Sequence, residues 1–249
     1  MRKKIIILSI AAALLCISTV HATLAYFQDS EFDKNVMTVG RVDIVQDEYQ
    51  RDDDGDFVDF EDNKGMFPVT GTDNQKVTVN GFEYTMFNNN INYLDKIVNV
   101  TNIGNVDAYV RTVFAFEMKN VDGEWVNPID VDLFPVFSEL NGEGILWVKD
   151  GTDDVVIELD GVKYVIGVYY YANGSLLVPE EESHASLLQF YLGSHVGNEW
   201  YEAVGNNYEI LTVSQAVQTS GFSNAPVALN TAFGDVNSAN CAQWFAAQA

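Results

Sequence analysis

Hydrophobic and polar residues alternate with a period of two along most of the chain beyond its N-terminal region, which is the pattern of strands with one buried face. The clearest case is DDVVIELDGVKYVIGVYYY, in which Asp160-Gly161 forms a two-residue turn of the primed type. This turn predicts a hairpin with one apolar and one charged face, in which the opposed pairs are Leu159–Val162, Ile157–Tyr164, Val155–Ile166 and Glu158–Lys163.

Further strands follow the same alternation. The stretch KVTVNGFEYTMF predicts a hairpin that turns at Asn80-Gly81, and a third hairpin is predicted at Asp122-Gly123. The remaining strands are predicted over residues 36–46, 96–102, 108–118, 187–192 and 208–217. Short strands with frequent turn signals indicate an all-β fold, an antiparallel jelly roll or β-sandwich.

Helical periodicity is confined to the C-terminal region. The stretch SNAPVALNTAF, residues 223–233, predicts a short helix that Ser223 or Asn224 caps and that Gly234 ends. The tail over residues 235–249 has no clear assignment. We therefore expect one or two short helices beside the strands.

The N-terminal region has the organisation of a signal peptide, which we assign to residues 1–25. The basic residues RKK precede an apolar core over residues 5–20, which is shorter than the roughly 20 residues of a membrane-spanning helix. Small residues at the −3 and −1 positions, Thr23 and Ala25, predict cleavage between Ala25 and Tyr26. The alternative is an uncleaved N-terminal anchor.

Charge and cysteine content narrow the classes of partner. The 249 residues include 13 basic and 36 acidic ones, which gives a formal net charge of −23. A chain this acidic repels nucleic acid and anionic lipid, so neither is expected as a partner. Cleavage removes Cys16 and leaves Cys241 alone, which excludes an intramolecular disulfide and a cysteine-based zinc site.

The acidic stretch QRDDDGDFVDFE, residues 50–61, resembles a calcium-binding loop. Calcium is the one cofactor that the sequence indicates. Four of its acidic side chains fall on ligand positions of a twelve-residue calcium loop. They are Asp52, Asp54, Asp56 and Glu61. Because Gln50 occupies the first position and no helices flank the stretch, an EF-hand is not predicted. Two interpretations stay open, a looser calcium loop and a solvated hairpin end that turns at Asp54-Gly55.

Arg111 lies within the apolar strand pattern YVRTVFAFE. A guanidinium buried in such a strand needs a partner, and a carboxylate is the usual one. The sequence therefore predicts a structural ion pair of Arg111 with Asp107 or with Asp95.

The sequence contains no recognisable catalytic motif, and we expect a protein that is not an enzyme. A catalytic zinc needs three protein ligands, whereas only His184 and His195 remain after cleavage and no HExxH motif is present. Neither a nucleophile-elbow motif nor a Gly-rich phosphate loop occurs.

Three longer stretches occur in a recognisable order. They are LAYFQDSEFDKNVMTVGRVDI, DKIVNVTNIGNVDAYVRTVFAFE and SQAVQTSGFSNAPVALNTAFG. The first resembles the signal-peptide junction of the TasA and camelysin family, exported proteins of Gram-positive bacteria whose signals are cut by a SipW-type signal peptidase. The second is similar to the family's strand–Asn-x-Gly–strand–Arg segment. The third looks like the C-terminal element of larger SipW-dependent proteins of gut Clostridia.

The resemblance implies a jelly-roll domain, which we place over residues 41–234, followed by a tail at 235–249. The acidic insertion at 47–62 departs from the minimal family pattern. It also implies secretion to the cell surface of a Gram-positive bacterium. There the protein would form or decorate the extracellular fibres of a biofilm matrix.

In such fibres the segment just after the cleavage site adds a strand to the next subunit, and main-chain hydrogen bonds provide the affinity. Here this segment is residues 26–40, with Tyr26, Phe27, Phe32 and Val36 as the donor side chains. The implied partners are copies of this chain or homologous fibre subunits, with no membrane contact after cleavage. The alternative is that the segment forms the first strand of its own domain.

Two other functions stay open. Camelysins carry a metallopeptidase label, which implies a surface peptidase with His184 and His195 among its metal ligands. A monomeric adhesin would instead bind sugars on an aromatic platform, for which the candidates are Trp125, Trp147, Tyr169, Tyr170, Tyr171 and Trp200.

Overall fold

The computed structural model describes residues 28–29, 40–61, 67–71, 73–88, 92–121, 123–127, 133–137, 145–147, 149–150, 153–171, 176–195 and 208–246. Its strands are β1 (Gln28–Asp29), β2 (Ile44–Arg51), β3 (Phe57–Asp59), β4 (Asn74–Val79), β5 (Phe82–Phe87), β6 (Leu94–Asp95), β7 (Ile97–Asn102), β8 (Ala108–Glu117), β9 (Lys119–Val121), β10 (Glu124–Val126), β11 (Leu133–Phe137), β12 (Ile145–Trp147), β13 (Lys149–Asp150), β14 (Asp153–Asp154), β15 (Val156–Leu159), β16 (Val162–Tyr170), β17 (Leu187–Leu192) and β18 (Ile210–Gln218). The helices of this described part are α1 (Ala225–Phe233) and α2 (Ser238–Ala246). The predicted all-β class with few short helices is confirmed.

The first sheet is antiparallel and has the strand order β1-β18-β8-β16-β12, with β15 also paired to β16. Its central strand is β8, in which every residue from Ala108 to Phe116 is buried. A strand buried on both faces lies between two apolar layers. The first sheet therefore lies between other elements of the fold.

The second sheet combines two groups of strands, β3-β2-β7 and β11-β17-β6. Backbone hydrogen bonds join them along β7: the amides of Ser183 and Ser186 donate to the carbonyls of Val100 and Val98, both at 2.8 Å. The segment before β17 thus lies beside β7 and extends the sheet.

The fold has four layers. Apolar side chains of the two sheets, among them Val98 and Phe114, pack between them and make a β-sandwich. The helices α1 and α2 cover the outer face of the first sheet through Leu229 and Phe245. The β4–β5 hairpin covers the outer face of the second sheet, where Met86 is fully buried. The jelly-roll topology that the resemblance implies stays a prediction.

Local turn chemistry sets the hairpin registers as the sequence predicts. At both Asp160-Gly161 and Asn80-Gly81 the two residues have φ values of +49° and +84°, as a primed turn requires. The opposed pairs include Ile157–Tyr164, Glu158–Lys163, Leu159–Val162 and Val79–Phe82. The third predicted hairpin is also present, as β9 and β10, with Val121 opposite Glu124.

The helices differ in how far the sequence predicts them. Helix α1 begins at the predicted cap, where Asn224 accepts a hydrogen bond from the Val227 amide at 3.0 Å, and it ends at Gly234. Helix α2 lies in the tail that the sequence pattern left unassigned. Its apolar residues Cys241 and Phe245 are buried in the same cluster as α1.

A buried ion pair ties β2 to β6. Arg51 donates from Nε and Nη2 to the Asp95 carboxylate at 2.6 and 2.9 Å, and Gln189 Nε2 donates to the same carboxylate at 2.7 Å. Both charged side chains are 2% exposed. Arg51 Nη2 also donates to the Phe87 carbonyl, which connects the β4–β5 hairpin to the second sheet.

We predict that Asp95→Asn lowers the free energy of unfolding by about 3–5 kcal/mol, because it leaves the Arg51 guanidinium buried without a counter-charge. Urea denaturation measures this change. The matched control is Glu83→Gln, which breaks the Lys76–Glu83 pair on the surface, where both side chains are 64% exposed. That substitution leaves the free energy nearly unchanged. Equal effects of the two variants would contradict the prediction.

Candidate functional site

The outer edge of the first sheet is the most distinctive backbone feature of the fold. Strand β18 pairs with β8 along its whole length, from Ile210 opposite Phe116 to Gln218 opposite Ala108. On its other side β1 pairs with it only at Ala216 and Val217. The edge over residues 210–215 therefore has no strand partner in the part of the chain that the structure describes.

Both faces of β18 are occupied although its edge is open. Val213 and Val217 pack beneath the helices, whereas Ala216 belongs to the core between the sheets. Ser214 Oγ donates to Gln46 Oε1 of β2 at 2.7 Å. These contacts hold the strand in place, and its backbone groups over residues 210–215, which no described strand pairs on this side, can serve as a fixed template for another strand.

The predicted donor segment supplies β1. Gln28 and Asp29 pair antiparallel with Val217 and Ala216. The cleavage residues Ala25 and Tyr26 lie outside the described residues, and so do the donor side chains, which are Tyr26, Phe27, Phe32 and Val36.

The chain becomes anchored to the domain at Gly40. This residue has φ of +50°, and a Cβ atom here would lie 2.8 Å from Val106 Cγ1, so only glycine fits. The Asn105 side chain accepts from the Arg41 amide at 2.5 Å, and the Asn105 amide donates to the Arg41 carbonyl at 2.9 Å. Residues 30–39 connect this anchor to β1, and ten residues span at most about 35 Å.

The acidic stretch contains the end of β2, the turn over residues 52–56 and β3. Asp52 Oδ1 accepts from the amides of Asp54 and Asp56 at 3.0 and 2.9 Å, so one of the four predicted calcium ligands caps its own turn. Gly55 has φ of +87° in this turn. Within the described residues no group of three His, Cys, Asp or Glu side chains is placed to hold a metal, and this includes Asp52, Asp54, Asp56 and Glu61. The hairpin-end interpretation is the one that fits this geometry.

The predicted ion pair of Arg111 with Asp107 is wrong. Four residues of extended strand place the Cα atoms of the two residues about 13 Å apart. The other candidate, Asp95, pairs with Arg51. Arg111 is fully buried and donates instead to neutral acceptors. These acceptors are Gln215 Oε1 at 2.7 Å, Asn230 Oδ1 at 2.7 Å and the Gly234 carbonyl at 3.3 Å.

Arg111 joins the helices to the first sheet. Its acceptors lie on β18, on α1 and at the end of α1, and its guanidinium carbon lies 4.7 Å from the ring centre of Trp244 on α2. Burial lowers the pKa of Arg111, and the nearby Tyr170, Cys241 and Asp235 partly offset this. The sequence identified the buried cation but missed its partners, because they are amide and carbonyl oxygens far along the chain.

The residues of the two alternative functions are distributed through the fold. Of the histidines named for a peptidase, His184 packs its ring against Phe82 at 3.6 Å between ring centres. Of the aromatic residues named for a sugar-binding platform, Tyr169, Tyr170 and Tyr171 are buried and cannot contribute to an exposed surface. Trp125 is 38% exposed and lies beside Lys163, whereas Trp200 lies outside the described residues. None of the described helices is long and apolar enough to cross a membrane.

The sequence did not reveal the edge of β18 over residues 210–215. The strand pattern over residues 208–217 predicts β18, but the sequence does not show which strand lies at an edge. Comparison of the chain with protein-family models, with curated proteins and with solved structures found no match. The TasA and camelysin resemblance therefore stays a prediction carried by the quoted stretches alone.

Proposed function

We propose that this chain is a secreted structural protein of the cell surface that builds or decorates extracellular fibres by β-strand addition. The observation that carries the proposal is the edge of β18, which within the described residues pairs with the N-terminal segment at Ala216 and Val217 and has no strand partner over residues 210–215. A neighbouring subunit's segment 26–40 would continue along this edge. SipW-type cleavage after Ala25 would free that segment for the exchange.

The physical basis is the pairing of backbone groups. An edge strand presents a row of unpaired amide and carbonyl groups, and an added strand satisfies them without a change in the acceptor. In the single chain β1 occupies this edge in an antiparallel register. The same register is available to a second copy, because exchange of an identical element between subunits preserves its contacts.

The anchor at Gly40 permits this exchange. The domain holds the chain from residue 40 onward, and the preceding residues are long enough to reach across to an adjacent subunit. Each subunit would then offer one donor segment and one acceptor edge. Such a head-to-tail interface produces an open filament when the rotation between subunits does not close into a ring.

Net charge opposes this assembly. Cleavage after Ala25 removes three basic and no acidic residues, so the cleaved copies have 10 basic and 36 acidic residues and a formal charge of −26. Such copies repel one another over distances comparable to the Debye length, which is about 10 Å at 0.1 M salt. The proposal therefore places the association energy in main-chain pairing and apolar side chains, with salt aiding the approach of the subunits.

Removal of residues 26–36 is expected to abolish filament formation, because the acceptor edge stays intact while the donor is lost. Negative-stain electron microscopy of the trimmed and untrimmed chains measures assembly, and circular dichroism shows that the fold is kept. A synthetic peptide of residues 26–40 in excess should block assembly of the untrimmed chain, whereas a scrambled peptide should not. Filaments from the trimmed chain would contradict the proposal.

Disulfide trapping identifies the subunit that supplies β1. We predict that a mixture of Gln28→Cys chains and Val217→Cys chains forms cross-linked heterodimers on assembly, because these positions are opposed in the register. Non-reducing gel electrophoresis of the oxidised mixture measures this. If instead only the double variant cross-links, and only within one chain, the segment is the first strand of its own domain.

The native thiol provides the background control. Cys241 is buried, and burial raises its pKa to about 11, so little thiolate is present near neutral pH. Chains that carry Cys241 alone should stay monomeric on the gel. A matched pair, Asp29→Cys with Ala216→Cys, tests the neighbouring opposed positions in the same way.

A further inference from the structure

Strand β18 directs its backbone groups to two sides. The amide of Glu117 donates to the Glu209 carbonyl at 3.1 Å, so Glu209 points toward β8. Because the residues of an antiparallel strand point alternately to either neighbour, the even-numbered residues from 210 to 216 point away from β8. Of these outward residues, Ala216 lies opposite Asp29 in the described structure.

The register of β1 can be continued along this edge. Gln28 lies opposite Val217 and Asp29 lies opposite Ala216, in the antiparallel sense. A strand that keeps this register would pair residues 30–35 with residues 215–210. The opposed pairs of this continued register include Phe32–Val213, Asp33–Thr212 and Asn35–Ile210.

The two faces of β18 differ, and the sequence of the N-terminal segment matches the difference. Val213 and Val217 face the apolar cluster beneath the helices. Phe32, the one apolar side chain in QDSEFDKN, falls on this face in the continued register. The other face carries the hydroxyls of Thr212 and Ser214, and the acidic residues of the segment fall on it. A shift of one residue would exchange the faces, so the pattern opposes such a shift.

Thr212 supplies a separate observation. Its Oγ1 is buried and has no hydrogen-bond partner among the described residues. The neighbouring hydroxyl of Ser214, in contrast, donates to Gln46 Oε1 at 2.7 Å. A buried hydroxyl is normally hydrogen-bonded, and a directly opposed side chain on an added strand is close enough to accept from it. In the continued register that side chain is the carboxylate of Asp33.

The anchor at Gly40 limits how far a chain can follow this register along its own edge. Gly40 packs against Val106, just before the start of β8, and this start pairs with Gln218. Gly40 therefore lies at the Gln218 end of β18, and Ile210 is eight residues along the strand, about 26 Å away. The five residues from Asn35 to Gly40 span at most about 18 Å. A chain therefore cannot place its own Asn35 opposite its own Ile210, whereas a neighbouring chain can.

We infer that residues 28–35 of a neighbouring subunit pair with residues 210–217 of β18 in this register, and that Asp33 accepts a hydrogen bond from Thr212. The inference rests on the proposed fibre function, to which it adds the register and the side chains that select it. Phe32 would extend the apolar cluster beneath the helices. The part of the edge that a chain cannot cover with its own segment would thus connect one subunit to the next.

Disulfide trapping beyond the reach of the anchor tests the register. Chains with Asn35→Cys, mixed with chains with Ile210→Cys, should form cross-linked heterodimers on assembly, because opposed Cα atoms lie about 5.5 Å apart. The matched control replaces the second variant by Thr212→Cys, which is two residues out of line and should cross-link much less. The double variant Asn35→Cys/Ile210→Cys, kept dispersed, should form no intramolecular disulfide. Non-reducing gel electrophoresis measures all three.

The mixture of Gln28→Cys and Val217→Cys chains separates this inference from the fibre function. Heterodimers there, without heterodimers of the Asn35→Cys and Ile210→Cys chains, would overturn the register and leave strand addition standing. Stronger cross-linking to the Thr212→Cys control would also overturn the register. No heterodimers in either mixture would overturn both the register and the fibre function. An intramolecular disulfide in the dispersed double variant would contradict the limit that the anchor sets.

The hydroxyl of Thr212 is tested by Thr212→Val, which keeps the shape of the side chain. We expect the lowest concentration at which the chain assembles to rise about tenfold or more, because a hydrogen bond to a carboxylate is lost. In dispersed chains the same change should not lower Tm, since no described group bonds this hydroxyl. Thr212→Ser, which keeps the hydroxyl, is the matched control and should assemble like the unmodified chain.

A double substitution distinguishes the contact from a separate effect of each residue. Asp33→Ala should raise the assembly concentration about as much as Thr212→Val does. The two changes together should raise it no further than either alone, because both remove the same hydrogen bond. An unchanged assembly concentration for Thr212→Val, or effects of the two changes that multiply, would overturn the contact.

Discussion

The organisation of this protein depends on one constraint: the backbone groups at the edge of a sheet must find partners or stay exposed to water. Strand β18 meets this constraint on one side through β8 and on the other, as far as the structure describes the chain, at Ala216 and Val217. Its faces are already occupied, by the helices above and by the second sheet below. The first sheet can therefore grow along β18, where the N-terminal segment already pairs with it.

Buried polar groups hold the layers around that edge. Arg111 connects β8 and β18 to the helices through neutral oxygens, and Arg51 connects β2 to β6 and to the hairpin through Asp95. A buried ion pair contributes little net stability compared with apolar packing, but it penalises every arrangement that leaves one partner alone. These contacts fix the positions of the helices and of the β4–β5 hairpin on the faces of the two sheets.

The sequence predicts the parts of this fold that local chemistry controls. The Asp160-Gly161 and Asn80-Gly81 turns set their registers because glycine and the preceding residue accept positive φ, and Asn224 caps α1 through its own side chain. The features that the sequence did not predict depend on contacts between residues far apart in the chain. Arg111 finds its acceptors more than one hundred residues away, and no local pattern distinguishes an amide partner from a carboxylate. Helix α2 is also set by tertiary packing, since only Cys241 and Phe245 mark its buried side. The N-terminal segment carries a recognisable sequence, whereas the edge position of β18 is a property of the strand order.

Hydrogen exchange of the β18 amides, compared between dispersed chains and assembled material, is the sharpest test of strand addition at this edge. In dispersed chains, the amides of residues 210–215 that point away from β8 should exchange quickly, because no strand in the described part of the chain covers them. Those that point toward β8 should be protected in both states. Strand addition predicts that the outward amides become protected on assembly. If they exchange equally fast in both states, the subunits associate through another surface and strand addition at β18 is wrong.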